Sequence, residues 1–194
     1  MNTLTFDTSG PFCAVHATGA AARVAMMKSG QSERLFPLIE EVLANAGLTR
    51  SDLDLICVGV GPGNFTGTRI GVAAARGLAL SLGIPSVGVS RLEALSRLAP
   101  GKTAAVAAYK GHTFVQAPGK DPSLVTTDSL QLSTLVVDET FPDVGDAQIF
   151  PLAKLLPQMA TIAAGRRDGP PPAPLYLRAP DAALPSEPPP KILS

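Results

Sequence analysis

The stretch "DLICVGVGPGNFTGTRIGVAAARGLAL", Asp54 to Leu80, joins an apolar, β-branched run to a glycine-rich turn and then to a run of small and apolar residues. The first part has the composition of a central strand covered on both faces. The last part spaces its residues as a helix over 67–82. Five glycines and a proline surround Asn64 and Thr66 over residues 59–71. A turn of that kind is either a phosphate cradle or a strand-to-helix corner that needs close packing.

Spacing excludes the two common nucleotide fingerprints. No lysine follows Gly67, as a P-loop requires, and Thr66 stands where a Rossmann turn has its third glycine. The loop still offers what a phosphate needs. Gly61 and Gly63 permit close backbone approach, Asn64 and Thr66 add side-chain donors, and the second helix points its positive end there. Asp7, Thr8 and Ser9, closing the first strand, add an acid and two hydroxyls that could hold hydrated Mg²⁺ and a phosphate, or could satisfy a hairpin's backbone groups. The residues alone leave both readings open at each place.

Upstream, "NTLTFDTS", "FCAVHATG" and "AARVAMMK" alternate as strands and are separated by Gly10, Pro11 and Gly19, which predicts a three-stranded antiparallel meander. "SERLFPLIEEVLANAGL" then places Leu35, Leu38, Ile39, Val42 and Leu43 on one helical face, with Ser32 as the expected N-cap and Gly47 as the stop. Pro37 falls near the end of the expected first turn, where a missing N–H costs less. Downstream of the glycine stretch, "SVGVS" reads as a strand and "RLEALSRLA" as a short helix. The order to residue 99 is therefore βββαβαβα, an α/β lobe with a mixed sheet.

Pro100 and Gly101 mark an expected boundary between this lobe, residues 1–100, and a smaller second α/β lobe, residues 101–167. Within the second, "TAAVAAY", "HTFVQAP" and "SLVTT" read as strands, and "SLQLSTLV" and "PLAKLLPQMATIAAG" as helices. Nine of the nineteen prolines fall in residues 168–194, so that segment is expected to be extended, against the body or partly free.

Composition narrows the function. Sixteen basic residues balance sixteen acidic ones without clustering, so no whole-chain field draws nucleic acid or an anionic membrane. Cys13 and Cys57 sit in apolar surroundings with no Cys-x-x-Cys spacing, as buried reduced thiols do. "MNTLTFDTSG" lacks the basic and apolar regions of a signal peptide, and no run is long and apolar enough to span a membrane, so a cytoplasmic chain is expected. His16 and His112 are isolated and no metal site is expected. The second helix is apolar or small nearly all round, with Gly67, Gly71, Ala74, Ala75 and Leu78 at three- to four-residue spacings. Together with the broad apolar face of the first helix, this points to a helix-mediated protein interface.

Four segments, "FDTSG", "SERLFPLIEEVL", the quoted stretch and "PLYLRAPDA", together resemble the bacterial TsaB (YeaZ) family. The resemblance implies an actin-like ATPase (ribonuclease H-like) fold of the glycoprotease-like group. It also implies a noncatalytic accessory role in making threonylcarbamoyladenosine at position 37 of tRNA, without a required cofactor. The implied partners are the catalytic subunit TsaD, docked through the two helices, and the ATPase TsaE, with self-association by the same surface and tRNA met only through the complex. The docking residues expected on this basis are Leu35, Leu38, Ile39, Val42, Ile70, Gly71, Ala74, Ala75 and Leu78. ATP or ADP with Mg²⁺ at Asp7, Thr8, Ser9, Gly61, Gly63, Asn64 and Thr66 is the secondary expectation, and an actin-like kinase, ATPase or glycoprotease-like enzyme acting alone is the alternative. The chain departs from the family where Ala108, Tyr109 and Lys110 replace Asp-Ala-Arg, and it is somewhat short, as a trimmed second lobe would make it.

Overall fold

The computed structural model describes residues 1–177. The meander forms as expected, with β1 (Thr3–Asp7), β2 (Phe12–Ala17) and β3 (Arg23–Met26). It is followed by α1 (Gln31–Ala46), β4 (Leu55–Gly59), α2 (Phe65–Leu82), β5 (Ser86–Val89) and α3 (Arg91–Leu98). The five strands lie in the order β3-β2-β1-β4-β5, with the β1–β4 and β4–β5 pairs parallel. A second sheet, β10-β9-β6-β7-β8, contains β6 (Thr103–Ala107), β7 (His112–Gln116), β8 (Ser123–Thr126), β9 (Leu135–Asp138) and β10 (Gln148–Phe150). α4 (Leu152–Ala164) closes the regular structure.

Period-two alternation sorts the strands' side chains into layers. Leu4 and Phe6 of β1, Cys13 and Val15 of β2, and Ile56 and Val58 of β4 face α1 and α2 in one core. Phe12, Ala14, Leu55 and Cys57 face the other way, into a second core shared with α3, α4 and the inner face of the second sheet. Within that shared layer the helices are exchanged: α4 packs under the first sheet and α3 under the second. Among the described residues, the outer face of the second sheet, with Ala105, Val115, Leu135 and Val137, is closed by Phe141 and by Leu130, Leu132 and Val144.

Three local expectations need correction. Gly30, in the left-handed region at φ 89°, caps α1 with no side-chain bond, while the Ser32 hydroxyl turns to Glu33 at 2.8 Å. The helix therefore starts earlier and Pro37 lies beyond its first turn; Leu35, Leu38, Ile39 and Val42 bury enough apolar surface to hold it there. "SLQLSTLV" is not a helix. Ser129 and Thr134 donate to the Thr126 and Gln131 carbonyls, closing two short 3₁₀ turns, and the β-branched run after them enters the sheet as β9. Of the proline-rich segment, residues 168–177 are without helix or strand, and the rest of that expectation lies outside the described residues.

Candidate functional site at the glycine loop and helix face

The glycines between β4 and α2 are fitted to the end of β1. A Cβ on Gly59 would collide with the Asp7 carboxyl carbon, one on Gly63 with the Ser9 carbonyl, and one on Gly67 with the Thr8 carbonyl. At Gly71 it would stand 2.8 Å from Thr8 Oγ1. Hydrogen bonds fix the same approach: Asn64 N donates to Ser9 O at 2.6 Å and Thr8 Oγ1 donates to Gly67 O at 2.7 Å. The start of α2 is satisfied from within, since Asn64 Oδ1 accepts from Gly67 N at 2.8 Å. The glycine loop is thus packed against the end of β1 and the Thr8–Ser9 turn that follows it.

Asp7 is fully buried. Its Oδ1 accepts from Ser9 N at 2.7 Å, and its Oδ2, without a hydrogen bond, faces Arg91 Nε at 3.8 Å. Arg91 begins α3, where the helix dipole disfavours a cation, so neighbouring carboxylates must hold it. Its guanidinium donates to Asp138 Oδ2 of β9 at 3.0 Å and to the Pro62 carbonyl at 3.0 Å. This buried Asp–Arg–Asp cluster ties β1, the glycine loop and the second sheet together. Arg91 and Asp138 escape sequence reasoning because they are far apart in the chain. The one available signal was a basic residue in the first turn of a helix.

Between the glycine loop and the second sheet lies a cleft of about 520 Å³. Ser9, Gly63, Asn64 and Thr66 line it, with Lys28 and Tyr109. Asp7, Thr8 and Gly61 do not reach it. Among the described residues no group of three or more His, Cys, Asp or Glu could hold a metal ion. The thiols are no nucleophiles: burial pushes Cys13 up to about 11 and Cys57 further in the same direction.

The expected docking residues lie on α1 and α2, largely on the inner sides of these helices. Leu35, Leu38, Ile39, Val42, Gly71, Ala75 and Leu78 are buried, and Ile70 and Ala74 are half-buried. The outward side of α2 instead carries Ala73, Gly77 and Leu80 with Arg69 and Arg76, and on α1 Phe36 is exposed. Leu80 is 86% exposed, the most exposed large apolar residue described. Because α2 is apolar all round, the sequence did not say which side meets the sheet.

The family model for tRNA N6-adenosine threonylcarbamoyltransferase, TsaD, matches residues 24–117. The "tRNA threonylcarbamoyladenosine biosynthesis protein TsaB" of Haemophilus influenzae is 35% identical over 99 residues, 50% of this chain and 42% of that protein. The Escherichia coli protein of the same name is 32% identical over 100 residues, 50% and 43% of the two chains. An uncharacterized Mycobacterium leprae protein, ML0378, is 32% identical over 173 residues, 84% of this chain and 48% of its own. The chain thus spans less than half the length of these curated relatives. A crystal structure from Pseudomonas aeruginosa, of a protein described as similar to peptidase YeaZ, superposes with a TM-score of 0.73 at 24% identity, covering 91% of this chain and 99% of that one.

With its two mixed sheets and exchanged helices, the chain has an actin-like α/β fold, shared with that structure. In sequence it is similar to proteins named TsaB, and in fold to the structures described as YeaZ.

Proposed function

We infer that the chain is a noncatalytic accessory subunit of the assembly that installs threonylcarbamoyl on adenosine 37 of tRNA. It docks the catalytic subunit TsaD through the outer face of α1 and α2, with TsaE joining the assembly and tRNA met only in the complex. The observation that carries this is the exposed side of α2, where Ala73, Gly77 and Leu80 lie beside the Arg69 and Arg76 side chains on a helix whose inner side already fills the core. The names of the Haemophilus influenzae and Escherichia coli relatives support the pathway. The sealing of Asp7 under Gly59 and against Arg91 supports the absence of catalysis, because an actin-like phosphotransferase would need that carboxylate open to solvent and Mg²⁺. Such a role places the protein in the cytoplasm. Among the described residues no helix is long and apolar enough to cross a membrane.

Co-expression with the cognate TsaD tests the reading. Leu80→Asp and Gly77→Arg are expected to abolish co-purification while leaving the thermal midpoint of the isolated chain within a few degrees of wild type. Retained binding in both variants would remove the interface. Leu38→Asp and Ala75→Arg are unsuitable, since both place charge in the core. Light scattering of the isolated chain reports whether the same face supports a homodimer.

A second reading is favoured by the cleft, whose mouth offers Lys28, Asn64 and Thr66 to ATP or ADP. Calorimetry with Mg-ATP decides it: tight binding with turnover, lost in Lys28→Ala and Thr66→Ala, would replace the scaffold reading with an enzymatic one.

A further inference from the structure

We propose that residues 172–177 are a clasp that fixes the start of α2, with Tyr176 as its lock and Arg69 as the catch. The clasp rests on its own contacts; only its use, to position a docking helix, rests on the function proposed above.

Pro172 is buried, Pro174, Leu175 and Leu177 are half-buried, and Ala173 and Tyr176 are exposed. Three of the inward residues have a prepared seat. Pro172 packs where Gly88 has no side chain: a Cβ there would lie 3.2 Å from the proline's own Cβ. Leu175 joins the core beneath α1 and α2, whereas Leu177 packs on the core between the sheets. One backbone bond, Leu175 N to Val60 O at 2.8 Å, continues from the end of β4 and fixes the register of the segment.

With that register set, Tyr176 falls on the first turn of α2. Its ring stacks on Phe65 at 4.9 Å between centroids and 30° between planes, and its hydroxyl accepts from Arg69 Nε at 2.8 Å. The Arg69 guanidinium lies 3.8 Å from the centre of the Phe65 ring. Phe65 and Arg69 are four residues apart, so they are neighbours on one helical face, and Tyr176 binds both. The tyrosine is 45% exposed, so removing its ring leaves no buried cavity. The lock is therefore separable from the fold. Its position matters because the first turn of α2 follows directly on the glycine loop, whose glycines have no side chains to hold it from the outside.

Amide hydrogen exchange on the full chain tests this without any partner. Tyr176→Ala is expected to speed exchange at Gly67, Thr68 and Arg69 about tenfold, from loss of one aromatic contact and one hydrogen bond, while β1 and β4 keep wild-type protection. Arg69→Met, made from the other side of the same contact, should loosen the same amides. Tyr176→Phe, which keeps the stack, should fall between wild type and Tyr176→Ala. Unchanged exchange at these amides in Tyr176→Ala, or acceleration spread evenly over both sheets, overturns the clasp. Leu80→Asp leaves the clasp intact and tests docking alone, so a failure of the docking reading would be seen separately.

Discussion

Both sheets place an antiparallel meander on one side of a central strand and two parallel strands on the other, but their outer faces are covered differently. Over the first lie α1 and α2, inserted between β3 and β4 and between β4 and β5. At the corresponding places in the second sheet there are two 3₁₀ turns and a loop. The ends of β1 and β9 nevertheless keep one feature in common: Asp7 and Asp138 each accept from the backbone N–H two residues on, and both carboxylates face Arg91. The second lobe closes the shared middle layer on one face and carries a small apolar cluster under loops on the other, where the first is covered by two helices.

The largest expected effect falls on the glycines. Gly59→Ala drives a methyl into the Asp7 carboxylate and should cost about 3 kcal/mol or more in urea denaturation. Gly111 of the second lobe, at φ 71° with open space around it, should cost only about 1–2 kcal/mol as alanine. Equal costs would mean that the loop can relax and that close packing is not its purpose.

Next comes the cluster joining the lobes. Arg91→Met leaves Asp7 and Asp138 buried without their cation and should cost about 3–5 kcal/mol, whereas a loss below about 1 kcal/mol would show that the carboxylates find water instead.

A matched pair of truncations tests the covers directly. Val58→Ala, beneath the helices, should cost about 2–3 kcal/mol, and Val137→Ala, beneath coil able to settle into the void, about 1 kcal/mol. Reversed values would break the comparison between a rigid and a yielding cover.

The smallest effect is one of pH. Burial lowers the His16 pKa below its ordinary 6.5. In that window the unfolded chain binds more protons than the folded one, so stability is full above 6.5 and falls on acidification toward the lowered value. His16→Asn should flatten the thermal midpoint between pH 7.5 and 5.5 relative to wild type.

The first lobe was legible because its periodicities are long and its punctuation is unambiguous. Alternation fixed the meander, the 3.6-residue repeat fixed α1, and Gly47 ended it. The second lobe was less so, because "SLQLSTLV" carries leucines at spacings that suit helix or strand, and only the pairing of β9 with β6 decides. At the site, residue types pointed to the glycine loop and to Asp7, Thr8 and Ser9 as a unit, and the structure does bring them together. Sequence could not tell that the loop's glycines receive a strand, because close approach to phosphate and to a carbonyl ask the same thing of a backbone. Nor could it reveal the cation that faces Asp7, contributed by a helix beyond two further elements.

The exchange of α3 and α4 across the middle layer has a consequence for synthesis. The underside of the first sheet, including Leu55 and Cys57, has no cover until the chain has been translated through Ala164 and that segment has cleared the ribosome. A nascent chain of a hundred residues therefore holds a formed meander and two seated helices over a bare apolar floor, the kind of surface that chaperones bind. Completion of the first lobe is therefore expected to wait on α4, the last helix among the described residues, and the two lobes to fold as one unit.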